Sequence, residues 1–344
     1  MLKAEYLIFF ISLAVTYVGV WWFRQWSLRK GYLDHPNERS SHENPTPRGG
    51  GLVIAAVTLA AYIGSSWMLD YKLSLGFIAG ALLIVSVSWI DDVFSLSFGW
   101  RLLVHLVGAA TVIADVGYFE ELSIPFVKAP LHLGIFGMVI SLILIAWFVN
   151  AYNFMDGIDG LAGIQAVAAG LGWLLIGILM EIPTATVIGG VVLFSSIGFL
   201  IHNWQPAKIF LGDAGSAFLG FTFASMPFLL REQGTVRPAL LPIVAVLFVW
   251  LFVFDSALTV LRRLLRGERV WTAHREHLYQ RMVIAGRSHQ FVSILYGLIA
   301  VVIAVPAALM VNIHYSSTSY LLAAIVILSV AITLAIAYRS RPVP

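Results

Sequence analysis

Apolar runs of about 18–20 residues recur along the whole chain, separated by short polar stretches, the spacing of helices that cross the hydrocarbon core of a bilayer. Eleven such segments are predicted, at roughly 5–23, 49–67, 73–90, 102–118, 135–151, 160–180, 184–201, 215–230, 238–261, 291–311 and 320–338. The first has only Lys3 ahead of it, lacks a small-residue cleavage site and runs straight into basic residues, so it is expected to stay in the protein rather than act as a signal peptide. The expected fold class is therefore all-α: a polytopic integral membrane protein with about 11 transmembrane helices forming one domain, residues 1–344.

Composition turns that pattern into an exclusion. Of 344 residues, 60% are hydrophobic and 11% charged, against about 45–50% and about 25% in soluble domains, which excludes a water-soluble globular protein. Cysteine is absent. Disulfides, thiolate nucleophiles and Cys-ligated zinc or iron–sulfur sites are excluded with it, and any metal must use oxygen or imidazole ligands.

The net charge is only +3, so the placement of the 21 Lys and Arg carries more information than their number. Sixteen fall after odd-numbered segments, mostly in 24–48 and 262–290. The other five are Lys3, Lys72, Lys128, Arg231 and Arg237. Cytoplasmic loops carry the basic excess, which places the N-terminus outside and the C-terminus in the cytoplasm. The stretches 24–48, 91–101, 150–160, 202–214 and 262–290 are then cytoplasmic.

Carboxylates flush with a bilayer are costly and mark function. Three acidic motifs follow odd-numbered segments and so share the cytoplasmic face: Asp91-Asp92, the run Asn153-Phe154-Met155-Asp156-Gly157-Ile158-Asp159-Gly160, and Phe210-Leu211-Gly212-Asp213-Ala214-Gly215-Ser216. His274-Arg275-Glu276-His277 joins them. A Cys-free aspartate cluster beside Arg and His suits magnesium shared with substrate phosphates better than zinc. The three-residue spacing of Asn153, Asp156 and Asp159 predicts one side of a helical turn, with Gly157 and Gly160 admitting a ligand to the backbone. Asp213 precedes a helix start whose free amides favour an anion.

Each motif also has a plainer reading. Asp91-Asp92 could be a stop signal at the membrane edge, Asp156 and Asp159 a helix cap, Asp213 a turn residue, and the His274–His277 run a product of the positive-inside rule. His105, Asp115 and His202 read as structural. Asp115 and Asp255 look intramembrane, and for Asp255 packing and substrate contact weigh equally.

With Asn44-Pro45-Thr46-Pro47-Arg48-Gly49-Gly50-Gly51 added, five motifs stand in an order that resembles the polyprenyl-phosphate N-acetylhexosamine-1-phosphate transferases, over nearly the whole chain. The resemblance implies transfer of a sugar-1-phosphate from a UDP-N-acetylhexosamine to undecaprenyl phosphate with release of UMP, at the cytoplasmic face of the bacterial inner membrane. It implies Mg2+, with Mn2+ as a substitute. The metal would lie on Asp213, Asp156 and Asn153, with Asp91, Asp92 and Asp159 in the catalytic set. Arg48, Asn153, His274, Arg275 and His277 would hold substrate. Partners are the two substrates and membrane lipid, not nucleic acid, and a homodimer is among the assemblies allowed.

Asp91-Asp92 is followed by Val-Phe-Ser-Leu rather than a run ending in Lys, and His274-Arg-Glu-His277 stands where the muramoyl-pentapeptide branch has three His. Both departures favour the O-antigen and common-antigen branch, with UDP-GlcNAc or a UDP-FucNAc-like donor. The alternatives are phospho-N-acetylmuramoyl-pentapeptide transferase-like activity and a membrane transporter. A transporter would gather its ionisable groups at the bilayer midplane. An aromatic-acceptor prenyltransferase would need paired Asp-x-x-x-Asp-like motifs, which the chain lacks.

Overall fold

A computed structural model describes residues 4–36, 44–124, 127, 129–231, 233, 237–270, 274–311 and 316–339. The middle of the expected loop 24–48 and the start of the His274 loop lie partly outside these. The described helices are α1 (Ala4–Lys30), α2 (Gly51–Leu69), α3 (Leu75–Phe94), α4 (Phe98–Val116), α5 (Phe136–Met155), α6 (Leu161–Leu179), α7 (Pro183–Asn203), α8 (Asp213–Leu230), α9 (Leu241–Phe248), α10 (Trp250–Leu265), α11 (Leu278–Ile284), α12 (His289–Met310) and α13 (Ser316–Arg339). Two short antiparallel ladders complete the fold, β1 (Leu33–Asp34) with β2 (Thr46–Pro47) and β3 (Glu121–Leu122) with β4 (Leu131–His132). The all-α polytopic fold expected from the apolar pattern is the one observed: helices satisfy their own backbone hydrogen bonds, which lipid cannot do.

Among the described residues nine helices, α1 to α8 and α12, are long and apolar enough to cross a membrane. The ninth expected segment is not straight. It starts as a 3-10 turn at Pro238–Leu240, runs through α9, and bends by 76° into α10 at Val249. Counted as one broken span it makes a tenth. The eleventh expected segment coincides with α13, whose apolar stretch Leu322–Tyr338 is shorter than the other spans.

Large apolar side chains such as Phe10, Leu103, Ile140 and Leu298 point outward, as lipid-facing residues must. Exposed Trp22 and Trp100 stand near one end of the bundle and Trp67 near the other, in the manner of interfacial belts. At the centre is α8, 94% buried over its apolar window and packed against α2, α3, α4, α5 and α7. Its N-terminus meets the C-terminal ends of α3, α5 and α7, and this junction is called the aspartate end below.

Gly51 and Gly215 account for the closest approach there. A Cβ on either would overlap the other's Cα, so only glycine lets α2 and α8 touch. The contact is fixed by Phe210 N–H to Pro47 O (2.8 Å), Gly50 N–H to Phe210 O (2.9 Å) and Gly51 N–H to Leu211 O (2.9 Å). Two motifs far apart in sequence thus form one wall.

Candidate active site

The aspartate end encloses a cleft of about 210 Å³ lined by Asp34, Arg48, Asp92, Asp156, Gly157, Ile158, Asp159, Asn203, Phe210, Gly212, Asp213, Gln280 and His289. Asp92 stands in the last turn of α3 and is 3% exposed. Its carboxylate accepts from the Asp213 and Ala214 amides at 3.3 and 3.5 Å and faces Arg48 Nη1 at 3.6 Å. The helix start at Asp213 therefore does attract an anion, as expected, and the anion is a side chain of the protein. Arg48 also reaches Asp34 Oδ1 at 3.8 Å and lies over the Tyr32 ring, 5.6 Å from its centroid. Burial and the Asp92 charge push the Tyr32 hydroxyl up to about 12. Tyr32 thus stays protonated beside the carboxylates.

Asp91 looks the other way. Its Oδ1 accepts from Leu96 N–H at 2.6 Å, closing the end of α3, and its Oδ2 pairs with Arg101 at 3.3 Å. Its carboxyl is in hydrogen-bonding contact with that of Asp213, and the two line a second, small cavity with Asn153, His105 and Asn150. Asp213 is therefore flanked by Asp92 on the cleft side and Asp91 behind. Asn153 hydrogen-bonds the Asp213 carboxyl and donates from Nδ2 to Ser216 Oγ at 3.2 Å.

The expected helical turn through Asn153, Asp156 and Asp159 is corrected by the structure. The helix α5 stops at Met155, Asp156 leaves it at φ −88° and ψ 56°, and Gly160 takes φ +78°. Asn153 therefore stays on the helix while both aspartates sit on the turn before α6. Of the two glycines, Gly157 is exposed and lines the cleft, whereas Gly160 is buried away from it. A Cβ on Gly157 would overlap the Tyr279 hydroxyl, and one on Gly160 would meet Trp204 at 3.1 Å. The side-chain positions at both are thus taken by protein neighbours.

Asp156 is deep in the cleft, where its own burial and the charges of Asp213, Asp92 and Asp159 push its carboxyl well above the usual carboxylate range, against the pull of the Gly212 amide. Asp159 Oδ2 accepts from the Ala207 amide at 3.1 Å and lies 3.5 Å from His289 Nδ1. Sequence reasoning missed His289, Asp34, Gln280 and Asn203. Each lies at an element edge, Asn203 ending α7 and His289 opening α12 after the Ser288 cap, and that junction position is the signal that could have found them.

The His274 loop is arranged otherwise than expected. His277 is buried, its Nδ1 facing Asp255 Oδ1 at 3.3 Å, and none of His274, Arg275 and His277 lines the cleft. His274 is half-buried; burial and the positive surroundings of His277 and Arg263 lower its imidazole to about 4, so it is neutral at ordinary pH. Gln280, three residues on, is the cleft-lining member of this segment. His105 and His202 are structural as read, His105 Nδ1 contacting Asn150 Nδ2 at 3.1 Å and His202 Nε2 contacting Tyr17 O at 3.0 Å.

Among the described residues no three His, Asp or Glu side chains converge tightly enough to cage an ion. Magnesium does not require such a cage, because it keeps several waters and takes one or two carboxylates together with substrate phosphates. Asp156 and Asp213, acidic, half-buried and mutually repelling, with Asn153 beside them, fit that donor set.

Residues 74–231 match the model of glycosyl transferase family 4. The chain is 30% identical over 308 residues to the undecaprenyl-phosphate alpha-N-acetylglucosaminyl 1-phosphate transferase of Yersinia pestis, covering 86% of this chain and 80% of that protein. The chain belongs to the polyprenyl-phosphate N-acetylhexosamine-1-phosphate transferase family. It is also 32% identical over 335 residues to the decaprenyl-phosphate N-acetylglucosaminephosphotransferase of Mycobacterium leprae, covering 86% and 81%. To the probable undecaprenyl-phosphate N-acetylglucosaminyl 1-phosphate transferase of Bacillus subtilis (strain 168) it is 29% identical over 310 residues, covering 87% and 83%. Of the five motifs, Asp91-Asp92, the Asn153–Gly160 run and the Phe210–Ser216 run fall inside the family match, and these are the three that meet at α8.

Proposed function

We propose that this transferase passes an N-acetylhexosamine-1-phosphate from a UDP-sugar, UDP-GlcNAc or a UDP-FucNAc-like donor, to undecaprenyl phosphate, and so initiates a lipid-linked O-antigen or other cell-envelope polysaccharide. The observation that carries this reading is the gathering of Arg48, Asp92, Asp156 and Asp213 around one cleft at the end of a lipid-facing bundle. The acceptor presents its phosphate at the membrane surface on an apolar tail, while the donor is a soluble anion. Only a site at that boundary reaches both. The basic excess after odd-numbered segments supports a cleft on the cytoplasmic face of the membrane, taken here as the bacterial inner membrane.

In the reaction an acceptor phosphate oxygen attacks the sugar-bearing β-phosphorus. The bond to the bridging oxygen breaks, and UMP departs with the electron pair. Magnesium, held by Asp213 and Asp156 with Asn153, would neutralise the diphosphate. Arg48 supplies a fixed positive group for a phosphate oxygen and is itself aimed by Asp34 and Asp92. Asp92, held by the first amides of α8, sets where the acceptor phosphate can sit. That phosphate has its second pKa at about 6 and is mostly ionised already, so no strong base is needed.

A panel of UDP-sugars offered to purified protein with undecaprenyl phosphate and magnesium, read by the mass of the lipid product, tests the proposal. A lipid diphospho-N-acetylhexosamine and UMP in equal amounts are expected. A lipid bearing the muramoyl-pentapeptide would move the chain to the other branch.

A further inference from the structure

Asp255 is a carboxylate buried to 1% exposure inside the broken ninth segment, and the reaction above makes no use of it. Five groups converge on it. Its Oδ1 accepts from Leu278 N–H (2.8 Å), His277 Nδ1 (3.3 Å) and Thr259 Oγ1 (3.3 Å), and its Oδ2 from Tyr279 N–H (3.3 Å) and Tyr296 Oη (3.1 Å). Two of these donors are the free amides at the start of α11, so Asp255 caps that short helix from a neighbouring one.

The chain of contacts goes on to the cleft. Tyr279, itself 1% exposed, donates its hydroxyl to Phe154 O at 3.0 Å, a carbonyl of the last turn of α5. The same hydroxyl fills the space left by Gly157. Asp156 is the residue between Phe154-Met155 and Gly157. Gln280, next in α11, caps the His277 amide at 3.3 Å and lines the cleft. A second anchor, from Arg263 and Arg266 to Glu276, holds the other side of the loop to α10.

We propose that Asp255 is a positioning residue for the transfer reaction: it locks the His277–Gln280 segment, and through Tyr279 sets the turn that carries Asp156. His277 is in this view a strut rather than a ligand of the donor. The bend at Val249 gains a purpose, since it swings α10 under the loop and brings Asp255 beneath the cleft. The inference rests on the reaction assigned above for its kinetic readout but not for its structural one.

The test compares Asp255→Asn, Tyr279→Phe, their double variant and His277→Asn in nanodiscs, measuring kcat and both KM values with UDP-GlcNAc and undecaprenyl phosphate, together with hydrogen exchange over residues 154–160. Tyr279→Phe removes one hydroxyl and is expected to keep its melting temperature, lose about 10-fold in kcat and exchange faster at 154–160. Asp255→Asn is expected to lose about 100-fold, and the double variant no more than that, because both act through one linkage. His277→Asn keeps a donor where Nδ1 stands and should retain most activity. Acceptor KM should not move. Additive losses, or wild-type kcat and exchange in Tyr279→Phe, would overturn the proposal. Wild-type protein that makes no UMP with any UDP-sugar would refute the assigned reaction instead, and the exchange measurement alone would then decide this one.

Discussion

Two cavities occupy opposite ends of the bundle, and the larger is not where the chemistry gathers. The one away from the aspartate end measures about 330 Å³ and includes Asp70, Lys72 and Asp115, so volume and acidic residues alone do not separate it from the cleft of about 210 Å³. The difference lies in how the carboxylates are spent. Asp115 Oδ2 accepts from Ser74 Oγ at 2.6 Å and from the Gly76 amide at 2.9 Å, finishing the cap that Ser74 starts at α3. Asp70 is exposed, ending α2 in the left-handed conformation. In the cleft, by contrast, Asp92, Asp156 and Asp213 crowd together, and Arg48 pairs with Asp92 alone among them. A carboxylate that completes a helix end contributes to stability. Carboxylates crowded together raise their own energy, and a bound cation and phosphate offset that cost.

The comparison breaks most plainly if the two ends respond alike to mutation. Asp213→Asn is expected to cut turnover by at least about 1,000-fold while the protein still inserts and binds acceptor, read as UMP release. Asp92→Asn should cost about 100-fold, because the amide still accepts from the α8 backbone but no longer pairs with Arg48. Asp91→Asn should cost less in turnover than Asp92→Asn and more in melting temperature, since Asp91 closes α3 through Leu96. Equal kinetic losses for the pair would mean that the cleft and the small cavity behind it are one site. Asp115→Ala at the far end should leave turnover within about twofold and lower stability by about 1 kcal/mol, the cost of a lost cap. A large loss of turnover there would erase the distinction.

Much of this contrast was visible in the residue order, for reasons that differ between regions. The apolar segments that became α1 to α8 were legible because lipid demands an uninterrupted apolar helix. The bend in the ninth was not: no proline or glycine stands at Val249, and the contacts that tie Asp255 on α10 to α11 and α12 come from residues more than twenty positions away. Asp92 and Asp213 were legible as acids at a membrane boundary. Their division of labour from Asp91 was not, because it depends on which side of a single helical turn faces α8. Asp159 was placed on a helix by spacing alone, and the turn at Gly160 took precedence. Asp115 looked intramembrane beside apolar neighbours, yet it sits where α4 ends, bonded to the start of α3.

The smallest effect expected is one of pH, and it sharpens the reading of the His274 loop. Burial lowers His274 from its ordinary 6.5 to about 4, so folding favours the neutral imidazole. The stability it contributes is complete above about pH 6.5 and is lost progressively as the pH falls toward about 4, because the unfolded chain binds the proton first. Thermal unfolding followed between pH 7 and 4 should show that decline in wild type and a shallower one in His274→Gln. Identical profiles would place His274 in solvent.

The cysteine-free sequence allows the most direct test of where transfer happens. A single cysteine is introduced at Phe210, which lines the cleft, or at Lys72, which lines the opposite cavity, and each is treated with a bulky thiol reagent before UMP release is measured with UDP-GlcNAc, undecaprenyl phosphate and magnesium. Labelled Phe210→Cys should lose its activity and be protected by prior addition of the UDP-sugar, while labelled Lys72→Cys should keep the unlabelled rate. Full activity in labelled Phe210→Cys, or loss of activity in labelled Lys72→Cys, would contradict the assignment of the reaction to the aspartate end.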